Sequence, residues 1–138
     1  MKIVVSPNPY RDKQFKNARQ ACSILREAGA EVALCLPFDV DKTFEIPHDL
    51  RFQDIQKEIK TADMLICFGG DGTILHSSKI ATEHNLPILG VNIGTMGFIA
   101  ELEAGEIELL RKIPKGDYTV EERTMLDVSV GNGRQTLF

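Results

Sequence analysis

The sequence predicts an α/β fold: a doubly wound, mainly parallel sheet with helices on both faces, followed by the start of a β-rich second domain. Three observations carry that expectation. Short apolar runs alternate along the chain with stretches whose apolar residues recur every three or four positions. One run, Met64 to Phe68 (MLICF), is apolar throughout, which implies cover on both faces, the habit of parallel sheets. The tail then breaks the pattern, because Leu126, Val128 and Val130 alternate with Asp127 and Ser129. That period of two marks a strand with one wet face.

Taken in order, Lys2 to Ser6 (KIVVS) reads as a buried strand closed by Pro7 and Pro9. From Arg11 to Ala28, Phe15, Ala18, Cys22 and Leu25 form one helical stripe, and Gly29 supplies the stop. Glu31 to Leu36 is a second strand, ended by Pro37. Phe38 to His48 has no period and reads as a long connection, after which Phe52, Ile55 and Ile59 mark a second helix. The third strand, Met64 to Phe68, leads through Gly69-Gly70-Asp71-Gly72-Thr73 into a helix running to His84. Pro87 introduces a fourth strand, Ile88 to Val91, and a second glycine-rich stretch, NIGTMGF. Glu103 to Ile113 is predicted helical, with acids early and Arg111-Lys112 late, as the helix dipole favours. Pro114 and Gly116 end it. Gly131-Asn132-Gly133 signals a hairpin turn. The expected organisation is residues 1–117 as an α/β nucleotide-binding domain and 118–138 as the beginning of a truncated β-rich one.

Composition narrows the function classes. With 43% hydrophobic and 26% charged residues the chain is globular. A net charge of -4, with no basic block beyond Arg111-Lys112 and nearby Lys115, argues against nucleic acid as partner. No apolar run approaches the ~20 residues of a membrane helix, and MKIVVSPNP is broken by proline too soon for a signal peptide. Cys22, Cys35 and Cys67 are odd in number and each lies in an apolar stretch, which suits reduced, buried thiols of a cytoplasmic protein. The three histidines show no metal-ligand spacing, so no residue is assigned to a metal.

FGGDGTILH, Phe68 to His76, holds most of the chemical information. Gly69 and Gly70 permit a tight turn after a buried strand and leave no side chain to block a close ligand. The following helix aims unpaired N–H groups and its positive dipole end at the strand's carboxyl edge, a place for phosphate oxygens. Asp71 is the unusual member, since a carboxylate beside phosphates is repelled unless a cation intervenes or a proton must be removed. It is therefore a Mg²⁺ contact or a base orienting a hydroxyl; the plain alternative is a helix cap. GxxxxGK[ST] is absent, which excludes a P-loop, and GGDGT is not the GxGxxG dehydrogenase fingerprint. Few cations lie near the loop in sequence.

GGDGT, followed by GVNIGTMGFIAEL at Gly90 to Leu102, resembles the N-terminal domain of NAD kinases. The likeness runs over nearly the whole chain, from the VSPNP loop to ERTMLDVSV at Glu121 to Val130. Diacylglycerol and sphingosine kinases carry loops similar to GGDGT, but the second stretch, with Gly94, Gly97 and Phe98, is similar to NAD kinases. The resemblance implies transfer of a phosphoryl group from ATP, with Mg²⁺ or another divalent cation, to the adenosine ribose 2′-hydroxyl of NAD. On that mapping Asp71 is the proton acceptor, and Asp71 and Gly72 contact the dinucleotide. Gly69, Gly70 and Thr73 belong to the same cofactor-binding turn. His76, four residues after Gly72, matches a further binding position, and Phe98 corresponds to an aromatic that packs on the substrate adenine. No role carries over to Asn92. The family's β-rich second domain supplies an Asn-Glu pair that this sequence lacks, so the chain is expected to be an N-terminal fragment, inactive alone, of an enzyme that forms homodimers or homotetramers at full length. The alternatives are a lipid kinase fragment and a non-catalytic nucleotide-binding module.

Overall fold

The computed structural model of the chain describes residues 1–94, 96–126, 128–131 and 135–137. Five strands form one sheet: β1 (Lys2–Pro7), β2 (Glu31–Leu34), β3 (Met64–Gly69), β4 (Ile88–Asn92) and β5 (Leu102–Glu103). Their order is β2-β1-β3-β4-β5 and every pairing is parallel. The helices are α1 (Lys16–Glu27), α2 (Ile55–Glu58) and α3 (Asp71–Glu83), with a 3₁₀ helix at Ala104–Lys112.

Strand side chains alternate between faces, and the core divides accordingly. Ile3, Val5, Ile66, Phe68 and Val91 pack under Ala18, Cys22 and Leu25 of α1 and under Ile107 and Leu110 of the 3₁₀ helix. Val4, Ala33 and Leu65 point the other way, beneath Ile55, Ile59, Ile80 and Ala81. The sheet is thus doubly wound, and all six residues of β3 are buried, as the unbroken apolar run requires. From β1 the chain moves outward to β2, returns to β3 and continues to β4. The carboxyl ends of β1 and β3 therefore bracket the point where the strand order reverses, which is where open α/β sheets form clefts.

Three elements differ from the sequence expectation. The first helix begins at Lys16 rather than Arg11, because Gln14 and Phe15 take left-handed backbone (φ 54° and 55°). That bend drives the Phe15 ring into the core against Phe44 and Phe52. The buried Asp12 carboxylate then accepts from the amides of Asn17 (3.0 Å) and Ala18 (2.9 Å), satisfying the first turn. The second helix shrinks to Ile55–Glu58 plus a 3₁₀ turn at Ile59–Thr61, since Gln53 pairs with Cys35 as extended chain and Asp54 is the cap. The last helix is 3₁₀ throughout. Its buried residues Ile107 and Leu110, with Ile113 just beyond, recur every third position, matching three residues per turn. Its Glu103–Glu106 capping box and late Arg111-Lys112 follow the charge pattern of the sequence. The two-residue β5 was not foreseen.

Gly29 (φ +98°) and Gly116 (φ +74°) end their helices in the conformation that favours glycine. Beyond Lys112 the chain has no regular element until β6 (Val128–Val130), which pairs antiparallel with β7 (Gln135–Leu137). The hairpin agrees with the turn signal. Gly131 has φ +83°, while Asn132 and Gly133 lie outside the described residues. Among the described residues no helix is long and apolar enough to cross a membrane.

The three cysteines are free and buried. Burial pushes the Cys35 thiol up to about 12, helped by Glu58 and Asp54, and pushes Cys67 up to about 12, helped by Glu101. Burial also raises Cys22, against the pull of Arg26. Thiolate is the reactive form, so at about pH 8 the native thiols should be inert to a disulfide reagent over minutes and should all react in denaturant. A fast-reacting thiol in the native chain, measured by absorbance of the released aromatic thiolate, would contradict this packing.

Candidate functional site

At the carboxyl ends of β1 and β3 lies a cavity of about 470 Å³. Its walls come from three segments distant in sequence. The loop after β1 contributes Asn8 and Arg11. The GGDGT turn contributes Gly70, Asp71, Gly72 and Thr73, with His76 one helical turn further. The loop after β4 contributes Gly94 and Met96, and Phe38 closes one side.

The glycines of the turn do different things. None of Gly69, Gly70 and Gly72 has positive φ, so the turn does not depend on left-handed backbone. Gly69 is buried as the last residue of β3, and a Cβ there would meet Thr73 Cβ at 2.6 Å and Cγ2 at 2.8 Å. Its absent side chain makes room for Thr73, which receives a hydrogen bond from Asn8 Nδ2 on Oγ1 (2.9 Å). Gly70 and Gly72 have nothing within 4 Å of an added Cβ and leave the backbone open to the cavity. Gly70 is the N-cap of α3 and no side chain caps this end, so the first-turn amides carry no side-chain acceptor.

Asp71 occupies the first position of α3, yet it does not cap that helix. Its carboxylate reaches across to the loop between β4 and β5. The Phe98 amide donates to both Oδ1 and Oδ2 (3.1 Å each), and the Ile99 amide donates to Oδ1 (3.1 Å). The plain capping alternative is therefore replaced by an anchoring contact between the two glycine-rich loops. Gly97 is wedged into that contact: an added Cβ would stand 3.1 Å from Asp71 Oδ1 and 3.3 Å from Asn92 Cγ. Asn92, buried at the end of β4, accepts from the Gly94 amide (3.0 Å) and donates to Glu103 on β5 (3.1 Å). It fixes the loop from below, a role the sequence reading did not assign.

His76 Nε2 is 3.1 Å from the Pro37 carbonyl oxygen, and its ring meets Phe38 edge-on at 5.9 Å. The histidine joins the cavity wall to the long connection after β2. Phe98 is 84% exposed, so its ring is not in the core, and it does not line the cavity. The structure thus brings Gly70, Asp71, Gly72, Thr73 and His76 together and leaves Gly69 beneath them and Phe98 outside. Asn8, Arg11, Phe38 and Met96 were not singled out in the sequence; the only hint was the VSPNP loop closing a strand that proves to be β3's neighbour. Few cations lie near the loop in sequence, but folding carries Arg11 from the loop after β1 to the cavity. As for a metal, among the described residues Asp71 is the one carboxylate of the lining, and no cluster of three or more His, Cys, Asp or Glu could hold an ion.

An open parallel sheet with an amide-lined cleft at its reversal point defines a ligand-binding α/β domain of the doubly wound class. The chain belongs to the ATP-NAD kinase N-terminal domain family, whose profile matches residues 2–118. It is similar to an NAD kinase of Bacteroides fragilis, 32% identical over 130 residues, covering 93% of this chain and 45% of that protein. An NAD kinase of Corynebacterium diphtheriae is 30% identical over 139 residues (98% and 44%). Another from Natranaerobius thermophilus reaches 44% identity over 85 residues (61% and 29%). The chain spans less than half the length of these relatives.

The wedge at Gly97 generates a test. Gly97→Ala should force the loop off the Asp71 carboxylate, because neither Asp71 nor Asn92 has slack to give. Overpacking of this kind costs about 1–3 kcal/mol. Amide hydrogen exchange at Phe98 and Ile99 should accelerate strongly while β1 and β3 amides keep their protection; unchanged exchange at the two loop amides would show that the anchor does not hold the loop.

Proposed function

We propose that this chain is the nucleotide-binding part of an NAD kinase, which phosphorylates the adenosine ribose 2′-hydroxyl of NAD with ATP to give NADP. The observation that carries the reading is the Asp71 carboxylate, held by two backbone amides in a cavity that the glycines of the same turn, Gly70 and Gly72, also line. Family membership favours a dinucleotide over a lipid as acceptor.

The reaction needs little covalent help. The ribose 2′-oxygen attacks the γ-phosphorus, a new O–P bond forms, the bond to the β,γ-bridging oxygen breaks, and ADP leaves. The hydroxyl proton goes to Asp71, which acts as general base. Gly70 and Gly72 let phosphate oxygens approach the first-turn amides of α3, where the helix dipole favours negative charge. Gly69 and Thr73 shape the turn, His76 lines the dinucleotide side, and Phe98 offers an exposed ring for the adenine. Among the described residues the lining holds a single carboxylate, that of Asp71. Mg²⁺ or another divalent ion would neutralise phosphate charge here, with Asp71 the lining carboxylate able to contact it. A cytoplasmic setting, consistent with free buried thiols, assembly into a homodimer or homotetramer, and a β-rich domain beginning near residue 118 belong to the same proposal.

Asp71→Asn separates the base from the anchor. An asparagine carbonyl at the Oδ1 position still accepts from Phe98 and Ile99, but the amide cannot take a proton. In the protein extended to the length of its relatives, turnover to NADP should fall by roughly 10²–10⁴-fold with Asn, the range for losing a general base, while KM for NAD changes little. Asp71→Ala should in addition disturb the loop and raise KM. Turnover close to the parent's in the Asn variant, followed by mass identification of NADP, would remove Asp71 from the chemistry.

A further inference from the structure

One side chain in the cavity at the carboxyl ends of β1 and β3, that of Arg11, carries a charge of its own. Among the described residues, Arg11 is the only arginine or lysine in the cavity's lining. Among the described residues it enters no ion pair, and no hydrogen bond occupies its guanidinium. Other arginines are engaged: Arg19 is bonded twice to Asp49, and Arg111 pairs with Glu27 and Glu108. Asp71 lines the same cavity, but its carboxylate is turned to the amides of Phe98 and Ile99, so the available negative partner is used elsewhere.

The backbone that carries Arg11 is fixed on both sides. Before it, the Asn8 amide donates to the Phe68 carbonyl (2.8 Å), tying the loop to the end of β3. The Asn8 carbonyl accepts from the amides of Arg11 (3.1 Å) and Asp12 (2.9 Å), while its side chain holds Thr73 and accepts from the Tyr10 amide. After it, the buried Asp12 is locked onto the first turn of α1 by the amides of Asn17 and Ala18. These bonds fix the backbone from which Arg11 reaches the cavity lining. Fixing the root of a long side chain reduces the entropy lost when its head binds.

We propose that Arg11 is the phosphate clamp of this cleft: its guanidinium binds the polyphosphate chain of the phosphoryl donor, opposite the first-turn amides of α3. The inference rests on the reading of the cleft as a phosphoryl-transfer site and names a cation for it from the described residues. A planar guanidinium offers paired N–H donors to phosphate oxygens, a geometry an ammonium does not match. Arg11 is a donor-binding residue and takes no part in removing the ribose proton.

Titration of this chain with inorganic tripolyphosphate and, separately, with ATP tests the assignment by calorimetry and by amide chemical shifts. Both probes should bind, with shifts concentrated at Asn8 to Asp12 and Gly70 to Thr73. Arg11→Met should weaken both by about tenfold or more, the equivalent of losing one charge-assisted hydrogen-bonded contact, and Arg11→Lys should recover part of the loss. Tripolyphosphate and ATP weakened equally identifies the phosphate chain as the element recognised; weakening of ATP alone would mean contact with the nucleoside and overturn the clamp. Arg51→Ala serves as control, since Arg51 lines a second cavity at the β2 edge with Arg19 and Arg26. Loss of binding in the Arg51 variant but not in Arg11→Met, or no binding of either probe by the parent chain, overturns the proposal. In the extended protein, Arg11→Met should raise KM for ATP and leave KM for NAD unchanged. Absence of NADP production by the parent itself would instead count against the NAD kinase reading, while the tripolyphosphate result still decides Arg11.

Discussion

Parallel strands all end on the same side of a sheet, so every loop that leaves a strand here competes for one edge. Three such loops crowd the carboxyl ends of β1, β3 and β4, and each brings backbone amides that need partners. A helix layer cannot cover this edge, because the helices run back along the faces. The partners are instead three polar side chains at strand or helix ends: Asn8 on the Tyr10 amide, Asp71 on the Phe98 and Ile99 amides, Asn92 on the Gly94 amide. Each satisfies a loop other than its own or the start of its own, and the cavity is the space left between them.

Glycine is needed in these loops for steric reasons that vary with position. Gly69 yields its side-chain volume to Thr73 and Gly97 yields its to the Asp71–Asn92 contact, whereas Gly70 and Gly72 face open space. The first two are packing positions, where even a methyl group must displace a neighbour. The other two cost nothing in the chain itself, and an added Cβ there would be felt only by whatever enters the cavity. Positive φ, the commonest reason for a glycine, applies instead at Gly29, Gly116 and Gly131, where elements end.

Much of the fold was legible because burial on both faces leaves an unbroken apolar run, and MLICF and KIVV showed it. Gly29, Gly116 and the hairpin signal were legible because single residues decide a chain reversal. Helix type and onset were not. Phe15 sits on the predicted stripe but reaches the core through a left-handed bend, and Ile107, Leu110 and Ile113 fit a three-residue period as well as part of a 3.6-residue one. At the site, the GGDGT residues stood out because glycines flanking a carboxylate after a buried strand are chemically conspicuous. Arg11 and Phe38 did not, since an arginine after a proline loop and a phenylalanine in a connection look ordinary until the β1–β3 pairing sets those segments beside the turn. Asn92 was given no role for a related reason: its partner Glu103 acquires meaning only when β5 pairs with β4.

An anchoring carboxylate and a proton-accepting one make different demands on the same group, and the division of contacts between the two oxygens of Asp71 bears on both. Oδ1 accepts from Phe98 and Ile99, whereas Oδ2 has only a share of the Phe98 amide. A carboxylate offers about four lone-pair sites, so the free acceptor capacity lies mostly on Oδ2. A proton arriving there, under the proposed function, displaces at most the shared half of one hydrogen bond. The two amides remain on Oδ1, and the loop that carries Gly97 and Phe98 stays in place through the transfer. Were the contacts distributed the other way, with each amide on its own oxygen, protonation would release one of them and loosen the loop at the moment of reaction. The bifurcated Phe98 bond is therefore the feature that lets one side chain hold the second glycine-rich loop and still have an oxygen to spare.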